Sequence, residues 1–296
     1  MTVRARQPWG NLGTGLLWIA PWAIGFVVFL LVPVLLALRT SFSDYGLIEQ
    51  PLFVGTENYE ELFGDSLFWI ALRNTAVYAV AAVSLNLAVS LGIAMLLELP
   101  LRGREFVRTL VFAPTLVPIV AAAVGWLWLY QPETGLLNRM LAAIGINGPD
   151  WLGDANWALA SLVIMGAWVV GSQVVIFTAA LRDVPTELHE AAALDGASSA
   201  RRFWSVTLPS ISPAILFNGV TSVIWALQVF ATPLVMTRGG PEQSTQVISL
   251  YIYQNIFQYG RMGYASALAW LQVLVVIAAT YGALKLSNRF VHYRGA

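Results

Sequence analysis

This chain carries little that could make or break a covalent bond. It has two histidines, His189 and His292, one lysine, Lys285, and no cysteine. A zinc-hydrolase HExxH would need a second histidine at 193, where an alanine stands. A P-loop needs a lysine after a glycine-rich turn, whereas Lys285 is followed by Leu286 at a helix end. No pair of carboxylates lies within an apolar run, where proton-coupled carriers keep such groups. What remains is non-covalent chemistry. Ser172 and Gln173, preceded by Gly171, interrupt one apolar run. In another, Ser222, Trp225, Gln228 and Val229 fall at spacings that share one helix face. Hydroxyls, amides and an indole at depth suit an uncharged solute. The structural alternatives are packing for Trp225 and bonding between helices for Gln173 and Gln228.

The elements that must position these groups are membrane spans. Hydrophobic residues make up 58% of the 296 and charged ones 11%, against about a quarter in soluble domains. Six runs are free of charge: Gly15 to Leu38, Asn74 to Leu97, Thr109 to Tyr130, Ala155 to Leu181, Phe203 to Thr237 and Met262 to Leu284. Each exceeds the roughly 20 residues that cross a bilayer core. The fifth also holds the end of a polar connection, so its spanning part is expected to start near Ser212. The first follows Arg4 and Arg6 as a signal peptide would, but it is too long for one and is read as a retained anchor. An all-α protein with six spanning helices follows.

Net charge is zero, yet the charges are unevenly placed. With the N-terminus inside, the inner segments hold Arg4, Arg6, Arg102, Arg104, Arg108, Arg182, Arg201, Arg202, Lys285, Arg289 and Arg294, which is 11 of the 16 basic residues. The positive-inside rule therefore puts both termini in the cytoplasm. The outer segment from Ser41 to Phe68 is acidic, with Asp44, Glu49, Glu57, Glu60, Glu61 and Asp65. It reads as a solvated loop or as a docking surface for an external partner. Trp126 and Trp128 read as interface anchors.

The longest charged connection on the inner side runs from Val184 to Pro209. Pro185 suits a first turn, and Glu187 and Glu190 favour a helix N-terminal half, so Thr186 to Leu194 is expected to be helical. Gly196 breaks it. Ser198 can cap a second short helix bearing Arg201 and Arg202, which Pro209 is expected to end. Glu190, Ala191, Ala192 and Ala193 with Gly196 form a slim small-residue surface suited to a protein cleft, unlike the bulky face of a lipid-bound helix.

Glu190-Ala191-Ala192, then Gly196 after three residues, then Leu208-Pro209, resemble the EAA signature of binding-protein-dependent ABC importer permeases, with Val206 departing from the usual Ile. FVGTENYEELF at 53–63 with Phe68, Trp69, Asn74 and Thr75, GLLN at 135–138, and the run from TRGGP at 237–241 resemble the sugar-importer branch. The likeness covers roughly residues 15–290. It implies a type I ABC importer permease fold, with an N-terminal helix and external loop over 1–69, a core transmembrane domain over 70–290 holding coupling helices at 184–208, and a cytoplasmic tail at 291–296. It further implies that Glu190, Ala191, Ala192, Asp195, Gly196, Leu208 and Pro209 couple to an ATPase. The family's sugar-facing positions resemble Ser222, Trp225, Ala226 and Val229.

The implied function is uptake of a sugar or oligosaccharide across the cell membrane. The implied partners are a second, homologous permease subunit, two ABC ATPase subunits and an extracellular solute-binding protein, within membrane lipid and without nucleic acid. No cofactor is expected in this chain, since ATP and magnesium would sit on the ATPase, and no metal or catalytic residue is assigned. Glycerol-phosphate or polyol solutes stay open, as does a stand-alone secondary transporter, although few basic residues approach the expected path.

Overall fold

The computed structural model describes residues 12–46, 48, 50–100 and 102–287. Arg4, Arg6, Glu49, Arg289, His292, Arg294 and the tail 291–296 lie outside the described residues. Two compact units are present, one of Met1–Gly64 with Asn255–Trp270 and one of Asp65–Gln254 with Leu271–Ala296.

Among the described residues three unbroken helices are long and apolar enough to cross a membrane, Gly15–Thr40, Ser66–Leu97 and Met262–Ser287. The other three expected spans are each a bent pair. Arg104–Leu116 meets Ile119–Leu129 at 105°, Ala155–Gly166 meets Gly171–Arg182 at 53°, and Ser199–Ser210 meets Ser212–Leu227 at 67°. The six charge-free runs thus map onto these six segments among the described residues.

In the first unit, α1 (Leu12–Phe26), a π-helical turn (Val27–Leu31) and α2 (Val32–Thr40) run on as one rod. Its large side chains, Trp18, Trp22 and Phe29 among them, are exposed, as expected of an apolar helix facing lipid. A two-residue ladder follows, β1 (Ser43–Asp44) against β2 (Leu52–Phe53), antiparallel with Ser43 opposite Phe53. Helix α3 (Glu57–Gly64) buries Leu62 completely. Asn58 is the pin: its Nδ2 donates to Ser41 O at 2.9 Å and to Ser43 O at 3.0 Å. Two acidic side chains of this segment have local work, for Glu60 accepts from Thr56 and Glu61 pairs with Arg261.

In the second unit, α4 (Ser66–Glu98) is the central column, capped by Asp65, whose side chain accepts from Leu67 N–H. Helices α8 (Ala155–Gly166), α9 (Gly171–Arg182) and α13 (Ser212–Leu227) pack along it. One core patch gathers Tyr78, Ala82, Ala123, Leu162, Met165 and Leu227, and a second gathers Ala94, Leu97, Val174 and Phe177. Helix α6 (Ile119–Leu129) meets the short α14 (Ala231–Met236). Trp128 is largely exposed, as an anchor should be, but Trp126 turns inward, its ring 5.2 Å from Tyr130 and 6.1 Å from Trp168.

The breaks have local causes. Helix α5 (Arg104–Phe112) passes into a 3-10 turn (Ala113–Leu116) and stops at Val117, which is extended because Pro118 follows. At Gly171 a Cβ would lie 2.8 Å from both Thr115 Cγ2 and Val111 O, so only glycine lets α9 approach that turn so closely.

Prolines inside continuous helix follow another rule. Val32 N–H donates to Val27 O, five residues back, just before Pro33, and Leu208 N–H donates to Phe203 O just before Pro209. A proline ring clashes with the carbonyl four residues earlier, and a π turn immediately upstream widens the helix there. Pro209 therefore does not end the element as expected. The helical run continues through the π turn (Phe203–Thr207) and α12 (Leu208–Ser210), and the bend comes at Ile211.

Candidate functional site

A cavity of about 630 Å³ opens in the second unit between α4, α9 and α13. All seven residues singled out for the solute path, Ser172, Gln173, Ser222, Trp225, Ala226, Gln228 and Val229, line it. Tyr78, Asn86, Asn218, Thr221 and Thr232 line it too, and among the described residues no charged side chain does. Gln173 Nε2 donates to Ser222 Oγ at 2.7 Å, tying α9 to α13, and Ser222 Oγ donates to Asn218 O at 2.6 Å. The side-chain oxygens of Asn86, Gln173, Asn218 and Thr232 are buried without a hydrogen-bond partner. Buried acceptors of that kind are costly unless something donates to them. Trp225 stands out from the wall, 78% exposed.

One geometric expectation fails. The four positions from Ser222 to Val229 do not share a face of one helix, because α13 ends at Leu227. Gln228 is its C-cap, with its backbone N–H bonded to Trp225 O at 3.2 Å and its Nε2 donating to Ile224 O at 3.1 Å. Its amide nitrogen thus serves its own helix, not a neighbouring one. Val229 and Phe230 lead through a turn to α14, and that turn forms part of the cavity wall. Sequence reasoning missed Asn86 and Asn218, although each is an amide inside an apolar run and carried the same signal as Gln173.

The second assembly is the polar elbow between α9 and α13. Helix α10 spans Thr186–Leu194. Gly196 follows in the left-handed region, φ +76°. Ala197 N–H bonds Ala192 O at 2.9 Å and Gly196 N–H bonds Ala193 O at 3.0 Å, the paired bonds of a Schellman close. Ser198 then caps α11 (Ser199–Arg202), its hydroxyl accepting from Arg201 N–H at 3.3 Å. Glu190, Ala191, Asp195 and Gly196 are exposed, while Ala192, Leu208 and Pro209 are half-buried. Leu194 is 90% exposed, an apolar side chain at the apex of the elbow.

The root of the elbow is tied down by one carboxylate. Glu98 Oε1, at the end of α4, takes Arg182 Nε at 2.9 Å and also pairs with Arg104. Arg182 is the last residue of α9. Behind the elbow lies a recess of about 410 Å³ lined by Glu98, His189, Arg202 and Phe203 among others.

A long apolar bundle with such an exposed elbow is matched by one family model, described as the binding-protein-dependent transport system inner membrane component, over residues 88–293. The chain belongs to this family. The permease is 36% identical over 284 residues to the probable ABC transporter permease protein YesP of Bacillus subtilis, covering 94% of this chain and 92% of the relative. It is 33% identical over 276 residues to the trehalose/maltose transport system permease protein MalF of Thermococcus litoralis, covering 93% of each. A solved bacterial ABC transporter that imports the acidic polysaccharide alginate has a chain superposing with a TM-score of 0.82 at 26% identity, over 96% of this permease and 99% of that chain. The permease is accordingly a multi-pass membrane subunit of an ABC transporter with the importer fold.

The other family-like strings turn out to be pins. In GLLN, Asn138 Nδ2 donates to Pro132 O and Pro149 O while its Oδ1 accepts from Trp151 Nε1 at 2.6 Å. Asn74 Nδ2 donates to Gln243 O at 2.8 Å and Gln246 O at 3.0 Å, holding the loop that follows TRGGP. Thr75 Oγ1 accepts from Ile248 N–H at 3.0 Å beside it.

Proposed function

We propose that this permease passes an uncharged carbohydrate inward through the cavity, driven by ATP hydrolysed on a separate subunit that seats on the 184–209 elbow. The observation that carries the solute class is the wall itself: a cavity of about 630 Å³ with amide, hydroxyl and aromatic groups and no charge. Sugar hydroxyls can donate to the acceptors that Asn86, Gln173 and Asn218 leave open, and their apolar faces can lie on Trp225. An acidic sugar would have to leave water for a site with no cation, at a cost of several kcal/mol. The names of relatives that handle trehalose or maltose support a carbohydrate. The alginate importer shares the fold without sharing the requirement for an uncharged solute.

In this reading both termini and the elbow are cytoplasmic. Glu190 pairs with a basic group of the ATPase, the Ala191-Ala192 surface and the Asp195-Gly196 bend seat in its groove, and Leu208-Pro209 carry the movement into α13. A second, related permease completes the pathway, magnesium and ATP are held by the ATPase pair, and an external solute-binding protein delivers the sugar. The core over 70–290 is the moving part, with 1–69 serving as anchor and external loop.

The test is uptake by the assembled importer in proteoliposomes, with radiolabelled lactose, maltose, trehalose and an alginate trisaccharide offered on the appropriate binding protein. Uptake of at least one neutral disaccharide, with none of the acidic trisaccharide, is expected. Preferential uptake of the acidic sugar would overturn the solute class, and uptake without ATP would overturn the coupling.

A further inference from the structure

Helices that stop inside a membrane leave their last four carbonyls without intrahelical partners, and no water is there to take them. Helix α13 stops at Leu227, and each of its last four carbonyls can be traced. Ile224 O accepts from Gln228 Nε2 at 3.1 Å, Trp225 O from Gln228 N–H at 3.2 Å, and Ala226 O from Val229 N–H at 3.3 Å. Leu227 O is served from far along the chain. Gln272 Nε2, on α16 (Met262–Ser287), donates to it at 2.9 Å and donates also to Ser249 Oγ of α15 (Ile248–Phe257) at 2.8 Å. Gln272 does not line the cavity. It stands within the charge-free run that begins at Met262, where an amide is unfavourable unless bonded.

The bonds define what Gln272 does. Trp225 is 78% exposed and stands two residues before the end of α13, so the backbone there sets the direction in which its Cα–Cβ bond projects. Gln228, Val229 and Phe230, which line the cavity, follow the Leu227 carbonyl directly in the chain. We propose that Gln272 is a positioning residue for solute handling, shaping the cavity from outside by capping Leu227. This rests on reading the cavity as the solute site.

The test uses the assembled importer in proteoliposomes and, as probe, whichever of radiolabelled lactose, maltose, trehalose and diacetylchitobiose it takes up fastest. Gln272→Met, similar in length and without a donor, loses the bonds to both Leu227 O and Ser249 Oγ and is expected to raise the KM for uptake about threefold to tenfold, the range for leaving the one helix-end carbonyl unpaired within the membrane. Basal ATPase activity and yield of assembled complex should stay unchanged. Ser249→Ala removes one of the two anchors of Gln272 Nε2 and should move KM the same way by less. In a Trp225→Ala background the effect of Gln272→Met should shrink, because the aromatic group among those it positions is gone.

An unchanged KM in both Gln272→Met and Ser249→Ala would overturn the proposal. So would a Gln272→Met effect that persists in full beside Trp225→Ala. If Gln272→Met is not recovered in the membrane, Ser249→Ala alone and with Trp225→Ala decides by the same criteria. Trp225→Ala by itself separates the two levels: no change in KM or sugar preference would remove the solute-site reading and this proposal with it. A clear change there beside a silent Gln272→Met would remove this proposal alone.

Discussion

Replacing Gly196 tests whether the shape of the elbow transmits force. Its φ of +76° lies in the left-handed region, and a Cβ built on it meets nothing within 4 Å. The cost of a side chain inside this chain is therefore conformational, about 1–2 kcal/mol for an ordinary L residue and less for asparagine, which tolerates that region. At about 1.4 kcal/mol per factor of ten, alanine or valine should depopulate the Schellman close some 5- to 30-fold. Asparagine should depopulate it far less. The assay is sugar taken up per ATP hydrolysed in proteoliposomes. Gly196→Val is expected to lower that ratio severalfold while Gly196→Asn stays near the parent. The pair also separates strain from collision with the ATPase, because asparagine and valine are both bulkier than glycine but only valine resists the backbone angle. Equal ratios for Gly196→Val and the parent would refute the reasoning, and equal damage from both variants would replace backbone geometry with crowding at the partner.

Glu190→Lys puts a cation on the exposed face of α10 and should leave membrane insertion intact while cutting sugar-stimulated ATPase activity to near the basal level; full stimulation in reconstituted importer would exclude Glu190 from the contact. Glu98→Ala releases Arg182 at the root of the elbow and Arg104 beside it, two pairs that are partly exposed and worth about 0.2–1 kcal/mol each, so the purified complex should lose only a few degrees in thermal stability but show a raised ATP cost per sugar. Gly171→Ala would set a methyl 2.8 Å from Val111 O, and the resulting overpacking, about 1–3 kcal/mol, should appear as a lowered melting temperature or poor recovery in detergent, with Gly282→Ala, where a Cβ meets nothing within 4 Å, as the silent control.

The elbow was legible because its signals are local. Helix α10 begins and ends where Pro185, Glu187 and Gly196 say it should, and Ser198 caps the next helix as its residue type suggests. Local signals also mislead when a neighbour compensates. Pro209 marks a stop only if the helix before it is regular, and the π turn at Phe203–Thr207 removes that condition. The apolar segments that make three to six spans were legible from length, but their bends were not, since composition over about 20 residues is the same for a straight span and a broken one. Gly171 carried a hint that only the tertiary contact with Val111 and Thr115 explains. Asn86, Asn218 and Gln272 were visible as polar letters in apolar runs, yet which of them faces the cavity and which caps a helix depends on where other helices end.

The breaks give the chain its polar interior. A straight span offers lipid and solute only side chains, because its backbone groups are spent on one another. At the end of α13 the chain instead frees Gln228 to cap its own helix, turns Val229 and Phe230 into the wall, and brings Thr232 in from α14. At the head of α9, Ser172 and Gln173 enter the cavity directly after the bend at Ala167–Val170. The two ends of the same bent segments reach the elbow, α9 through Arg182 and α13 through the bend at Ile211. In the proposed function a displacement applied at the elbow would act on α9 and α13, the two helices that Gln173 and Ser222 bond together across the cavity. Under the function proposed above, coupling and solute contact share elements instead of requiring a relay between them, and a change of bend at Gly196 is then expected to be felt as a change of transport and not only of docking.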